Sequence, residues 1–337
     1  MNRPPIHPHV WNPPPAPPRS RQRTSHRPLA PIELIPLPGI GPEDIAIDPA
    51  GRIISGVEDG RILRVTRERA SVETLTTVPG RPLGIELFSD GRLLVCSAGV
   101  GLLLVDPDTG AVETLVSEVH GVPVRVCNNA AIEPDGTTWF TDSSSRFDLA
   151  DWPADFLEHS RTGRLLRRSV DGDLEVVVDG LAFPNGVAVA PDGTSVVVVE
   201  GGRYRLLRVW LTGARSGKVD TLIDNMPAVA DNLTTGSDGL IWVGCITSRN
   251  RMLDHLLALP PALRKAVWAM PAWLQPAPRA TAWVMAIDSI GRIVYDLQAE
   301  HPQLSMVTTA LEEAGSLYLG CLTRNVVGVI QNIHASS

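Results

Sequence analysis

The chain has 337 residues, a net charge of −7, 44% hydrophobic and 20% charged residues, which excludes disorder over most of its length. Glycine and proline, 29 each, supply turn chemistry at a density that implies many short strands. The acidic balance excludes a general nucleic-acid binder, and the longest apolar-rich stretch, Leu253 to Leu274, is broken too often by charges and prolines to span a membrane.

Ten prolines fall in the first 31 residues, and five arginines precede the first acid, Glu33. Residues 1–30 therefore read as a disordered Pro/Arg-rich arm, with a partner-binding role as the alternative, ahead of one domain over 31–334. The N-terminus shows no apolar signal-peptide core, so the expected compartment is the cytoplasm. Cys96, Cys127, Cys245 and Cys321 are far apart without a CxxC pair and are expected to be buried, reduced thiols.

From Ile32 onward one pattern recurs: an apolar alternation, a turn with glycine, then a second apolar run. Its six copies begin at Ile45, Ile85, Ala130, Val187, Leu233 and Thr309, and their glycines are 40, 45, 57, 46 and 76 residues apart. Period-2 alternation means half-buried strands, and about four strands per 40–50 residues is a propeller blade. The expectation is an all-β, six-bladed β-propeller, with the strand near Ile32–Ile35 completing the last blade. The two long spacings hold insertions near 143–162 and 249–280. The second is helical, since Leu256, Leu263, Val267 and Met270 recur near helical spacing.

Eight residues before each repeat glycine stand Glu43, Leu83, Asn128, Asn185, Asp231 and Val307. At the starts of innermost strands they would converge on the central channel, bringing two carboxylates and two amides together. Such carboxylates repel and lose hydration unless a cation joins them, and all-oxygen ligation with loose geometry selects Ca2+ over Mg2+. Polar residues that merely cap strands and bond turns explain the column equally well.

Pro42-Glu43-Asp44, Asn128 with Trp139 to Ser144, Phe183-Pro184-Asn185-Gly186, and Asp231-Asn232 with Asp238 to Gly244 form an ordered set. Together they resemble the SMP-30/gluconolactonase superfamily, in its strictosidine-synthase-like and adipocyte-plasma-membrane-associated-protein-like branch. The resemblance covers about residues 31–330 and implies a metal, most readily Ca2+, bound by Glu43, Asn128, Asn185 and Asp231. It also implies hydrolysis of lactones or related esters, a small-molecule substrate, and Asp231 as the base that takes a proton from water. A GxSxG elbow, HExxH, P-loop and GxGxxG are all absent.

Two departures narrow the substrate. The sugar-binding arginine of gluconolactonases is replaced by Val126, and the aspartate that usually follows the asparagine ligand is Asn129. Strictosidine synthases need a glutamate in the last blade where this chain has Thr308, so that condensation is not expected. His120 is expected in an exposed turn rather than as a base. Trp268, Trp273, Leu274 and Trp283 are candidates for an apolar lid, or for ordinary packing. The alternatives to a hydrolase are a non-catalytic binding propeller with a structural metal, or lyase or condensation chemistry on the same site.

Overall fold

The computed structural model describes residues 3–27 and 29–334. Six four-stranded antiparallel sheets succeed one another along the chain, as the repeat requires. The innermost strands are Ala46–Ile47, Arg81–Leu87, Cys127–Ile132, Pro184–Val189, Ala228–Thr235 and Val307–Glu313, opening blades 1 to 6. In blade 6 the outermost strand is Glu33–Pro36, paired antiparallel with Val326–Ile330. The ring is thus closed by joining the two ends of the repeat, which leaves no unpaired seam between the first and last blades.

The apolar alternation fills the spaces between blades. Val197, Met226 and Val243 fill the space between blades 4 and 5, and Trp242, Val284 and Leu319 that between blades 5 and 6. Comparable buried clusters separate the other four blade pairs. The four cysteines are free and buried.

Both insertions join the second and third strands of their blade. In blade 3, residues 143–162 carry α1 (Trp152–Glu158); in blade 5, residues 249–281 carry α2 (Arg251–Ala258) and α3 (Pro261–Ala269). Asn250 caps α2, its Oδ1 accepting from the backbone of Met252 and Leu253. Antiparallel pairing sets the end of the second strand beside the start of the first, as Cys127 opposite Asp142 and Ala228 opposite Ser248 show. The insertions therefore rise from the face on which the innermost strands begin. Ala154 and Leu157 of α1 and Trp268 of α3 form a cluster there with Phe147 and Ile6.

The arm departs from the expectation of a solvated tail: apart from a helical turn at Pro18–Arg21, its described residues run largely extended against the domain. The backbone N–H of Trp11 donates to Leu257, its ring stacks on His159 at 4.6 Å, and Arg19 clasps Asp296 and Gln298. Proline-rich backbone loses little conformational freedom on docking, so a few such contacts suffice to hold it.

Candidate functional site

Every innermost strand from blade 2 to blade 6 has an irregularity near its start. The register shifts lie between Pro82 and Ile85, Cys127 and Ala130, Pro184 and Val187, Ala230 and Leu233, and Val307 and Ala310. Each shift leaves two residues out of the ladder, and such bulges re-aim side chains. The first of each pair is Leu83, Asn128, Asn185, Asp231 and Thr308. Blade 6 thus contributes Thr308 rather than Val307. Its hairpin turns through two residues, Ala314 and Gly315, where blade 2 uses three between Phe88 and Arg92, so counting back from the glycine slips by one.

Glu43, Asn128, Asn185 and Asp231 are 3%, 3%, 8% and 3% exposed, and all four line one cavity. The amide nitrogens are spoken for: Asn128 Nδ2 donates to Ser143 Oγ at 2.9 Å, and Asn185 Nδ2 donates to Asp231 Oδ1. The amide oxygens are not. Oδ1 of Asn128 and of Asn185 are buried with no hydrogen-bond partner, as is Oδ1 of Asn232. A buried acceptor left without a donor costs about 1–3 kcal/mol. Two such oxygens beside two buried carboxylates match the donor set of a hard divalent cation, which needs oxygens and opposite charge and no hydrogen.

The electrostatics agree with that donor set. Burial pushes the Asp231 carboxyl up to about 8, against the pull of the Asn185 amide. Burial, then Asp231, then Asp44 hold Glu43 well above the usual carboxylate range. Protein groups alone therefore leave this pair short of counter-charge.

A second layer lies one residue further along each strand. Asp44 accepts from the Ile85 N–H and from Asn129 Nδ2, both at 3.1 Å, and Asn129 Oδ1 accepts from the Val187 N–H at 2.8 Å. Asn129 links blades 1 and 4 in this way. A carboxylate there could accept from Val187 but could not donate to Asp44, which is the physical reason for an amide. Asn232 Nδ2 donates to Glu43 Oε2 at 3.0 Å and orients it. Gly84 lets blade 2 approach blade 3, because a Cβ there would meet Asn129 Cα at 2.7 Å and the Asn128 carbonyl at 2.8 Å. The count from the repeat glycine passes over Asp44 and Asn232, although both stand beside candidate ligands in the sequence. Scoring the column one position along would have found them.

The cavity has a volume of about 120 Å³, and its walls are aromatic and aliphatic. Trp152 and Phe156 come from α1, Phe183 and Tyr204 from blade 4, and Leu253 from α2. Phe156 packs on Phe183 with ring centroids 4.9 Å apart. Phe183 and Met306, which occupy matching positions two residues before the column, both adopt left-handed backbone (φ 51° and 56°) and both line the cavity. Backbone strain of this kind persists where the surroundings enforce a side-chain position. Among the described lining residues there is no lysine, arginine or histidine. Arg125 instead bonds Ser145 and Asp148, and His120 sits exposed in a turn.

The tryptophans that are candidates for a lid or for ordinary packing do not line the cavity. Trp283 is fully buried within blade 5, Trp268 packs inward under α3, and Trp273 is 80% exposed. The roof uses the ends of the second insertion, Asn250 and Pro276 to Pro278, while the first insertion supplies the aromatic wall. Helical periodicity could not distinguish a side chain facing a cavity from one facing another helix.

Asp238, Glu312 and His334 form another cluster of potential ligands, with donor atoms within 4.8 Å of one another. It lies at the opposite ends of the innermost strands. Its carboxylates are already engaged: Asp238 accepts from Leu240 and Trp242, and Glu312 from Ser237, Asp238 and Gly315. That network ties the hairpins of blades 5 and 6 together.

The family described as strictosidine synthase matches residues 128–214, and the strictosidine synthase-like N-terminal family matches residues 27–65. The adipocyte plasma membrane-associated protein of Danio rerio is 32% identical over 307 residues, covering 83% of this chain and 73% of that protein. Strictosidine synthase-like protein 10 of Arabidopsis thaliana is 32% identical over 320 residues, covering 86% and 84%. Among solved structures, a gluconolactonase from Xanthomonas campestris superposes with a TM-score of 0.65 at 17% identity, covering 98% of both chains. Regucalcin from Agrobacterium tumefaciens, a calcium-binding protein, gives 0.63 at 16% identity over 90% of this chain and 94% of its own. These two likenesses are of fold.

Proposed function

Since the chain belongs to the strictosidine synthase-like branch of the SMP-30/gluconolactonase superfamily, we propose that it is a metal-dependent hydrolase of lactones or aryl esters. Glu43, Asn128, Asn185 and Asp231 would hold one divalent cation, most readily Ca2+. The observation that carries this reading is the pair of unpartnered amide oxygens on Asn128 and Asn185 beside two buried carboxylates in one cavity. The gluconolactonase and calcium-binding neighbours support it.

Held by Glu43, Asn128, Asn185 and Asp231, such a cation would supply Lewis-acid polarisation of a substrate carbonyl and charge to stabilise a developing oxyanion. The chain's own residues do the rest. Asp231, freed of its proton, accepts one from the attacking water, and the Asn185 amide fixes which of its oxygens stays occupied. Asn232 holds Glu43 in place as the second carboxylate. The aromatic wall of Trp152, Phe156 and Phe183 excludes water and takes the apolar part of the substrate. A sugar lactone is disfavoured, because Val126 stands where gluconolactonases carry a sugar-binding arginine and no arginine is found among the described lining residues. Amine–aldehyde condensation is disfavoured as well: Thr308 stands where the acid is needed, and its hydroxyl donates to the Glu43 carbonyl at 2.6 Å.

A panel of lactones and aryl esters, assayed with and without chelator, tests the proposal. Turnover that chelation abolishes and Ca2+ restores is the expected result. A chelator that lowers only the melting temperature, with no turnover on any substrate, would make the protein a binding propeller with a structural ion.

A further inference from the structure

The outer surface of the second insertion is apolar and cationic. Its exposed side chains include Met252, Leu263, Met270, Trp273 and Leu274, and no exposed acid is found among the described residues 251–280. The acid of that stretch, Asp254, is half-buried, and its oxygens are taken by the Tyr204 hydroxyl and the Arg249 guanidinium. α3 turns Arg264 and Trp268 inward, while Leu263, Ala266 and Met270 fall at i, i+3 and i+7 on its outer side. The turn that follows is held firmly. Arg3 and Gln275 both donate to the carbonyls of Trp268 and Met270, at 2.6–3.1 Å. Trp273 is thereby presented to solvent at 80% exposure from a fixed base, an arrangement that packing within the chain does not require.

Charge is segregated in the same sense. Residues 249–280 carry five cationic side chains, of which Arg249 and Arg264 are buried, against one acid, which leaves −11 on the other 305. Arg251 and Lys265 of the same insertion are exposed. Both ends of the insertion, Asn250 with Leu253 and Pro276 to Pro278, line the cavity.

We infer that the outer face of the α2–α3 insertion docks on the surface of an anionic lipid bilayer, with Trp273 and Leu274 entering the interface and Arg251 and Lys265 meeting the headgroups. Apolar side chains interleaved with cations and free of acids match that surface. A second copy of the chain fits less well, because a two-fold contact would set these cations against their own counterparts. The strongly acidic remainder is repelled by the same lipids, so the field orients the molecule with its insertion toward the membrane. Docking in that pose brings the cavity next to the bilayer, from which an apolar substrate could enter without crossing water. Among the described residues, no helix is long and apolar enough to cross a membrane.

Vesicle sedimentation with the full chain tests this without reference to catalysis. Vesicles containing phosphatidylglycerol should carry the protein down at low salt, and vesicles of phosphatidylcholine alone should carry down much less. Trp273→Ala with Leu274→Ala should weaken partitioning about tenfold or more, with melting unchanged because both side chains face solvent. Arg251→Glu with Lys265→Glu should weaken it by roughly fivefold for each cation lost and remove most of the salt dependence. Absence of binding to anionic vesicles overturns the inference, as does binding that both double variants retain. Self-association that Trp273→Ala abolishes, without vesicle binding, would assign the patch to a second copy instead. Hydrolysis of water-soluble short esters is measured separately, so loss of one result leaves the other standing.

Discussion

Without a metal, the site should make the fold less stable as pH rises, and Ca2+ should cancel that loss. Asp231 in the folded chain sits at about 8 against an ordinary value of 3.8. Between those values the folded carboxyl keeps its proton while the unfolded one releases it, so the folded state binds more protons and stability falls with increasing pH. At 1.36 kcal/mol per unit, raising the pH from roughly 4.5 to 8 costs about 5 kcal/mol from this one group. Glu43 is displaced in the same direction by its burial and by Asp231, and Asp44, at about 6, adds to the trend. Five kcal/mol is a large part of the 5–15 kcal/mol by which domains are typically stable. For a domain of some 300 residues it corresponds to a fall of about 8 °C in melting temperature. The assay is a series of thermal melts across pH with chelator present, repeated in excess Ca2+ and with Asp231→Asn. The melting temperature with chelator should fall toward pH 8; Ca2+ should flatten the profile, and the substitution should make it less steep, leaving the part that comes from Glu43 and Asp44. A metal-free profile that is level or rises over that range, or one that Asp231→Asn leaves unchanged, would refute the reasoning.

Other expectations follow from the same geometry. Asp231→Asn keeps a carbonyl oxygen able to ligate but removes the base, so turnover at saturating Ca2+ should stay roughly 100-fold or more below the parent; full recovery in steady-state assays would reduce Asp231 to a ligand. Asn129→Asp sets a carboxylate against Asp44 in place of the 3.1 Å amide bond and should cost about 2–4 kcal/mol in urea unfolding at neutral pH; a change below about 0.5 kcal/mol would remove the tie between blades. Gly84→Ala drives a Cβ into the backbone of Asn128 and Asn129 and should weaken Ca2+ binding in calorimetry, which an unchanged isotherm would contradict. Phe156→Ala widens the aromatic wall and should raise KM for compact aryl esters by about tenfold while altering kcat little, a split that steady-state kinetics on a size series would reveal.

The fold was legible because a propeller repeats its instructions. Strand alternation, turn glycine and spacing recur six times, and the two longest spacings marked the insertions correctly. The candidate ligand column was legible for the same reason, since Asn128, Asn185 and Asp231 each stand at the register shift of an equivalent strand. Where a turn changed length the count failed, as the two-residue hairpin at Ala314-Gly315 shows by shifting the blade 6 position from Val307 to Thr308. The cavity wall was harder to read, because Trp152 and Phe156 lie in a seven-residue helix whose neighbours are set by tertiary packing. Where the arm docks is not legible in its sequence, because prolines that resist regular structure also make an extended segment cheap to dock.

Parallel measurement of bound calcium and of ester turnover during Ca2+ titration of chelator-stripped protein tests the central claim most directly. Turnover of an aryl ester or lactone should rise in step with occupancy and saturate at one ion per chain. Hydrolysis that persists in stripped protein, or one bound ion per chain without turnover on any substrate of the panel, would contradict it.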